Sequence, residues 1–194
     1  MYSIDKNVTY EYEINKSKFI TKIYYVDDIL KVNDILKNVK SEYKDATHYC
    51  YAYIIDSKSK ANDDGEPSGT AGMPILNVLE KNNLNNIFCI VIRYFGGIKL
   101  GAGGLVRAYT NSVSEALNNH IIEYIEGYHI KINFDYNETN KINFILKNQE
   151  IIYKEFNDDI IYEFLISKSE YENIKKELKN SSIIKECYIK KEKP

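Results

Sequence analysis

The fold of the first half of the chain is decided by one stretch, IFCIVIRYFGGIKLGAGGLVRAY (residues 87–109). It begins with an apolar run of the kind found in strands that are covered on both faces, so we predict a strand over Ile87–Tyr94. Glycine-rich residues follow, and the apolar spacing after them predicts a helix from about Gly103 to Asn119. A loop of this composition between a buried strand and a helix predicts a surface built largely from backbone atoms.

Glycine is confined almost entirely to two neighbouring segments. Eight of the nine glycines lie between positions 65 and 104, and the only two arginines, Arg93 and Arg107, lie within or just beyond that window. The first segment reads DDGEPSGTAGMP (63–74), and we call residues 63–72 the acidic loop; residues 95–104 form the glycine loop. Glycine is favoured where the backbone needs a positive φ or a close contact. We therefore predict that the functional site lies here.

The composition predicts a globular protein of the cytoplasm. Of the 194 residues, 44% are hydrophobic and 28% are charged, and the net charge of −2 argues against binding of long duplex DNA, which requires many cations. The three cysteines, Cys50, Cys89 and Cys187, are far apart and form no CxxC pair, as expected of reduced thiols rather than of a disulfide framework or a zinc site. The N-terminus has no signal-peptide pattern and the apolar runs are too short to span a bilayer, so we expect no membrane contact.

A change in composition near Gly127 predicts two domains, residues 1–126 and 127–194. Residues 1–126 contain eight glycines and both arginines, whereas residues 127–194 contain one glycine and no arginine. The elements predicted for the first domain are a strand at Lys18–Val26, a helix from Ile29 capped by Asp27 or Asp28, a strand at Tyr49–Asp56, a polar loop over 57–72 and a short helix from Pro74.

The second domain follows the order βαββαβ. Its predicted elements are a strand at His129–Asp135, a helix at Glu138–Asn148, two strands joined by a turn at 157–159, a helix with the capping box Ser169–Glu172, and a strand at Ile183–Ile189. This order predicts a ferredoxin-like fold, in which both helices cover one face of a four-stranded antiparallel sheet. The fold class of the whole chain is therefore α+β.

The glycine loop has the composition of an anion site, because a glycine-rich turn into a helix presents free N–H groups at the positive end of that helix. The predicted anion or nucleic-acid site consists of Arg93, Gly96, Gly97, Lys99, Gly101, Gly103, Gly104 and Arg107. The alternative is that the glycines allow close packing and that the arginines pair with Asp63, Asp64 or Glu66. Neither a P-loop nor the dinucleotide fingerprint is present, so no nucleotide cofactor is expected.

The acidic loop offers a second kind of site. An EF-hand centred on Gly65 would place Lys60 and Ala71 at ligand positions, which excludes it. The candidate acid–base groups, or ligands for magnesium, are His48, Asp63, Asp64 and Glu66. We favour a turn whose carboxylates cap backbone amides, because no nucleophile with a base partner is evident. We therefore expect no catalytic residue, no metal site and no cofactor.

The two segments resemble the signature of the IMPACT family in its bacterial YigZ form. The matching residues are His48, DDGEPSGTAG (63–72), RYFGG (93–97), KLG (99–101) and GGLVRAY (103–109). The resemblance covers about Lys18–Asn119 and contains two long motifs in the family's order. One departure is Met73, at a position that is often Lys or Arg in the family, and it removes a cation beside the glycine loop.

The resemblance implies that the first domain has the fold of domain IV of elongation factor G and of a small-subunit ribosomal protein, a β-α-β sandwich. It implies that the second domain is like a ferredoxin-like C-terminal domain of the same factor. Eukaryotic relatives regulate translation initiation under amino-acid stress by engaging the activator of an initiation-factor kinase, and they carry an additional N-terminal domain for this purpose. This chain begins directly with the first strand, so we do not expect that role to transfer whole. Bacterial members are thought to bind nucleic acid or the translation machinery.

The resemblance, together with the clustering of charge and glycine, favours a non-enzymatic regulator associated with translation, which binds RNA or a ribosome-associated protein through Arg93, Lys99, Arg107 and the amides of the glycine loop. One alternative is an enzyme that acts on a small phosphorylated or acidic substrate with His48 and the carboxylates of the acidic loop. Another is a protein-docking module. The direction of the two arginines discriminates between these, because pairs that neutralise each other indicate a scaffold and exposed cations over free amides indicate binding.

Overall fold

The computed structural model describes residues 1–191, which form an α+β structure. The chain divides into two compact units, Met1–Glu123 and a second that begins at Tyr124. The boundary predicted from composition, between residues 126 and 127, lies near this division; residues 192–194, which end the predicted second domain, lie outside the described residues. None of the helices in residues 1–191 has the length and apolarity needed to cross a bilayer.

The first unit contains most of the secondary structure. Its elements are β1 (Tyr2–Ile4), β2 (Val8–Ile14), β3 (Ser17–Tyr25), α1 (Ile29–Glu42), β4 (His48–Ile55), β5 (Lys58–Asn62), α2 (Gly72–Lys81), β6 (Ile87–Tyr94) and α3 (Gly101–Ala116). Strand β7 (Ile121–Phe134) begins in this unit, where its first residues pair with β1, and ends in the second unit.

Strand β6 is the centre of the first unit. The antiparallel sheet has the order β2-β3-β6-β4-β5, so β6 has a neighbour on each side. Side chains alternate across the sheet. Ile87, Cys89 and Val91 pack in the core that contains α2 and α3, and the intervening residues of β6 pack in a second core with α1. The prediction that this strand is covered on both faces is confirmed.

The largest difference from the sequence prediction in this unit is a hairpin. Residues 57–72 were predicted as one polar loop, but β5 occupies Lys58–Asn62 and pairs with β4. Asp56 and Ser57 form the turn with positive φ angles of 47° and 64°. A polar edge strand has one face in solvent and little apolar alternation, so it gives almost no signal in the sequence. The short strands β1 and β2 were not predicted either.

The second unit contains the remaining elements. They are a 3-10 turn at Tyr136–Glu138, α4 (Thr139–Ile145), β8 (Glu150–Phe156), β9 (Ile160–Ser167), α5 (Lys168–Ile174) and β10 (Ser181–Lys190). From β7 onward the order is βαββαβ, and the antiparallel strands lie in the order β10-β7-β9-β8. Ile130, Ile132 and Phe164 are buried in its core.

The helix cap in this unit differs from the prediction. The capping residue of α5 is Ser167, whose Oγ accepts a hydrogen bond from the Glu170 amide at 3.2 Å and donates to Glu170 Oε2 at 2.7 Å. The predicted box, Ser169 with Glu172, has the same spacing two residues later. The end of β9 decides between them, because Ser167 retains the extended conformation that a capping residue requires.

Candidate functional site

The Arg93 side chain is buried and paired, contrary to its predicted place in an exposed anion site. It is 6% exposed, and its Nη1 donates to Glu66 Oε1 at 2.6 Å. The hydroxyl of Tyr109 on α3 donates to the same oxygen at 2.9 Å. Alternation along β6 directs Arg93 to the side of the sheet that α3 covers, which the loop composition alone did not reveal. For Arg93, the alternative of pairing with Glu66 is correct.

Two aromatic rings enclose the Arg93 guanidinium. Its Cζ lies 5.5 Å from the ring centroid of Phe19 and 5.5 Å from that of Phe95. The Nη2 atom reaches Ser17 Oγ at 3.4 Å, and Nε has no hydrogen-bond partner among residues 1–191. A buried guanidinium is tolerated when a carboxylate neutralises it and aromatic faces surround it. Arg93 therefore holds the acidic loop to the end of β6.

Asp63 has a structural role in the acidic loop. Its carboxylate accepts hydrogen bonds from the amides of Gly69, Ala71 and Gly72 at 2.9, 3.0 and 2.8 Å. The last two amides lie at the start of α2, so Asp63 caps that helix from a distance in the sequence. Partial burial opposes ionisation of Asp63, but these hydrogen bonds outweigh it and lower its pKa. The predicted capping role of the acidic loop is correct for Asp63.

Asp64 and His48 are also engaged with the backbone. Asp64 Oδ2 accepts from the Tyr49 amide at 2.7 Å, and its carbonyl oxygen lies 2.9 Å from His48 Nδ1. A carbonyl oxygen only accepts, so Nδ1 carries the proton and donates. The other ring nitrogen, Nε2, lies 3.9 Å from Glu66 Oε2. The structure thus brings together all four acid–base candidates, but their contacts are structural. Asp64 and His48 join the acidic loop to β4, whereas Asp63 caps α2 and Glu66 pairs with Arg93.

A buried thiol and phenol complete this polar cluster. Cys50 Sγ lies 3.2 Å from the Tyr109 hydroxyl and 3.0 Å from the Asp63 carbonyl oxygen. Burial raises the pKa of Cys50 to about 12, so the thiol is protonated at neutral pH. Burial, with Cys50 and Glu66 beside it, raises the pKa of Tyr109 far above its ordinary value. A protonated thiol is a poor nucleophile, which favours a structural role for the cluster.

The remaining charged residues of the predicted anion site lie in solvent. Lys99 and Arg107 are exposed, and neither forms an ion pair with another residue in the described part of the chain. Arg107 Nη1 lies 3.7 Å from the position that a Cβ atom of Gly103 would occupy, so its guanidinium lies against the first turn of α3. That turn has neither a side-chain cap nor an acidic residue. Two cations thus lie at or near the positive end of a helix.

The five glycines of this site differ in their roles. Gly97 and Gly101 have positive φ angles of 86° and 69° and open space around them. At Gly96 a Cβ atom would lie 1.9 Å from the carbonyl oxygen of Lys16, so this glycine allows the loop to lie against the β2–β3 turn. Gly103 and Gly104 are helical residues of α3, at the surface of its first turn. Close packing at Gly96 and open, positive-φ backbone at Gly97 and Gly101 therefore occur in the same loop.

This surface also has an apolar component, which was not predicted from the sequence. The exposed apolar side chains in and beside the glycine loop are Met73, Phe95, Ile98 and Val106, at 46%, 45%, 46% and 38% exposed. Two hydroxyls fix the start of the loop: Thr47 Oγ1 accepts from the Phe95 amide at 3.0 Å, and Ser17 Oγ accepts from the Gly96 amide at 3.2 Å. The signal in the sequence was the presence of Phe95 and Ile98 in a glycine-rich loop, where no core requires them.

The second unit has a separate cleft, which is a weaker candidate for the functional site. Its lining combines apolar strand residues with lysines, glutamates and small polar side chains: Ile125, Lys147, Asn148, Gln149, Glu150, Leu165, Ser167, Ser169, Glu170, Ile189 and Lys190. None of the predicted site residues lines it. Within residues 1–191 no group of three or more His, Cys, Asp or Glu side chains is placed to hold a metal ion.

The fold and the site define an α+β protein with a buried ion pair beneath a cationic, glycine-rich surface. Residues 15–117 match the family model of the Impact N-terminal domain. The chain belongs to the IMPACT family, as the resemblance of the two motifs indicated.

Relatives and a solved structure agree with this assignment. The chain is 40% identical over 177 residues to the IMPACT family member YvyE of Bacillus subtilis, a match that covers 87% of this chain and 81% of that protein. It is 41% identical over 115 residues to the IMPACT family member YigZ of Escherichia coli, covering 57% and 56% of the two chains. A crystal structure described as a hypothetical protein matches with a TM-score of 0.64 and 29% identity, over 91% of this chain and 90% of that one.

Proposed function

We propose that this protein is a non-enzymatic regulator associated with translation, and that it binds RNA or a ribosome-linked partner through a cationic surface in the cytoplasm. The binding surface consists of the glycine loop, the first turn of α3 and Arg107. The proposal rests on the family resemblance for its link to translation and on the geometry of the glycine loop for its ligand. The folds implied by the resemblance, those of elongation factor G domain IV and of a ferredoxin-like domain, are part of this proposal.

The observation that carries the proposal is the unneutralised charge at the start of α3. The N–H groups of the first helical turn have no partner within the helix, and no side chain of residues 1–191 caps the helix at Leu100. Arg107 lies against this turn, although a cation is unfavourable at the positive end of a helix. A phosphate or carboxylate from a partner relieves this repulsion by accepting from the amides and from the guanidinium together.

Arg93 has a structural role in this proposal, although it was predicted to contact the ligand. Because it is neutralised by Glu66 in the interior, it positions the glycine loop instead of contacting the ligand. Replacing Arg93 would disturb the fold, and a loss of binding would then be uninformative. The exposed cations Lys99 and Arg107 are the residues whose replacement tests the function.

The test is fluorescence anisotropy with labelled RNA at low and at physiological salt. We expect the variant Lys99→Ala/Arg107→Ala to bind more weakly than the wild type at low salt. Its affinity should also depend less on salt, because it neutralises fewer phosphates. The matched control is Lys44→Ala/Lys58→Ala, which removes the same net charge from exposed positions of the same unit.

Three outcomes separate the alternatives. Equal weakening by both double variants attributes binding to net charge and contradicts a local site. If the wild type binds no RNA but retains a ribosome-associated protein that the Lys99→Ala/Arg107→Ala variant loses, the ligand of this surface is a protein. Turnover of a phosphorylated small molecule that His48→Ala abolishes without unfolding would overturn the proposal in favour of an enzyme.

A further inference from the structure

We propose that the Phe95 ring is a stacking platform for a base of single-stranded RNA whose phosphates contact Lys99 and Arg107. This inference rests on the proposed function and names the class of its ligand. It starts from a ring that lies against the Arg93 guanidinium and yet remains 45% exposed at the beginning of the glycine loop.

One side of the Phe95 ring is already occupied. The Arg93 guanidinium lies over it, with Cζ 5.5 Å from the ring centroid, and Glu66 holds that guanidinium in place. The exposed part of the ring is therefore available to a second flat group, and the ring itself rests on a buried, paired guanidinium. Bases stack on aromatic side chains irrespective of sequence, because every base has a π-face.

The backbone of the platform is fixed as well. Hydrogen bonds to Thr47 and Ser17 hold the amides of Phe95 and Gly96, and Gly96 packs against the Lys16 carbonyl of the β2–β3 turn. A surface that is ordered before binding loses little conformational entropy when a ligand arrives. The hydrogen-bonded backbone of Phe95 and Gly96 therefore distinguishes this ring from an exposed aromatic residue in a mobile loop.

Charge favours single-stranded RNA over an apolar peptide as the occupant. Lys99 follows Phe95 by four residues, which places the two at most about 14 Å apart along the chain. A cationic surface beside an aromatic ring is the combination that recognises the backbone and the bases of a single strand. In a duplex the bases are already stacked inside and cannot reach the ring.

The test compares a labelled short oligoadenylate with an abasic oligomer of the same length and charge, by fluorescence anisotropy. We expect the wild type to bind the oligoadenylate about 5- to 150-fold more tightly than the abasic oligomer, the range given by one stacked base. Phe95→Ala should remove that preference, measured within the variant as the ratio of its two affinities, and Phe95→Tyr should retain it. Phe144→Ala is the matched control, because Phe144 is an exposed aromatic residue of the second unit, 71% exposed.

The outcomes separate this inference from the proposed function. Equal binding of the two oligomers by the wild type, with both weakened by Lys99→Ala/Arg107→Ala, leaves the cationic surface intact and overturns the stacking platform. A preference for bases that survives Phe95→Ala also overturns it. If the wild type binds neither oligomer at low salt, both the stacking platform and the proposal that this protein binds RNA are overturned.

Discussion

The Arg93 guanidinium lies 2.6 Å from the Glu66 carboxylate, and both side chains are almost fully buried, at 6% and 3% exposed. Glu66 belongs to the acidic loop, and Arg93 directly precedes the residues that lead into the glycine loop. The two motifs of the family signature are therefore bonded to each other in the interior, beneath the surface on which Lys99 and Arg107 are displayed. Removing either partner leaves an uncompensated charge in a protein core.

Replacement of one member of this pair should be severely destabilising. We expect Arg93→Ala or Glu66→Ala to lower the free energy of unfolding by about 3–5 kcal/mol, because each leaves a buried charge without its partner. The double variant Arg93→Met/Glu66→Leu should cost less than the sum of the single variants. Urea denaturation followed by circular dichroism measures these values.

An exposed ion pair provides the control for that experiment. Lys31 and Asp27 pair on the surface, with side chains 58% and 41% exposed, so Lys31→Ala should change the free energy of unfolding by less than about 1 kcal/mol. Costs of similar size at Lys31 and at Arg93 would contradict the structural role assigned to Arg93.

Asp63 should make the stability of the first unit sensitive to acid. Its hydrogen bonds lower its pKa in the folded state below the ordinary value of 3.8, so the ionised form stabilises the fold. That contribution is complete above the ordinary value and is lost as the pH falls through the lower folded value. We expect Asp63→Ala to cost about 1–2 kcal/mol at pH 7 and to make the acid limb of the stability profile shallower. Asp34→Ala, at an exposed position of α1, should leave the profile unchanged.

Two glycines of the predicted anion site should respond in opposite directions to the same substitution. Gly96→Ala places a methyl group where the Lys16 carbonyl stands, and we expect it to lower the free energy of unfolding by at least about 2 kcal/mol. Gly103→Ala places one at an ordinary contact distance in a helix, and should raise stability by up to about 1 kcal/mol. Thermal unfolding of the two variants tests this; a loss of stability at Gly103 would contradict the helix geometry described.

The three thiols should differ in reactivity. Burial raises the pKa of Cys50 to about 12 and that of Cys89 higher still, so neither should react with a disulfide reagent at pH 8 in the folded protein. Cys187 is partly exposed and should be the one thiol that reacts. Titration should give one reactive thiol in buffer and three in denaturant, and Cys187→Ser should remove the native reaction. Fast labelling of Cys50 would show that the polar cluster is open to solvent.

Much of the fold was predictable because its signals are local. The boundaries of β6 match the prediction, and α1 begins at Ile29 after its Asp28 cap, because an apolar run and a capping residue are properties of neighbouring residues. The hairpin strand β5 and the cap of α5 were not found. In the first case the strand is polar and lies at the sheet edge, and in the second two serine–glutamate spacings overlap and only the end of β9 selects one of them.

The sequence by itself determined the family, the α+β class and the segment in which glycine and arginine are concentrated, since each is encoded in residues adjacent in the chain. Only the tertiary structure decided which arginine is exposed. Arg93 and Arg107 look equivalent in the sequence, but alternation along β6 turns Arg93 under α3 to meet Glu66, 27 positions away, whereas Arg107 lies on the outer side of that helix. The physical reason is that a charged side chain is neutralised by an opposite charge close to it in space. The separation of two residues along the chain does not give their distance in the fold.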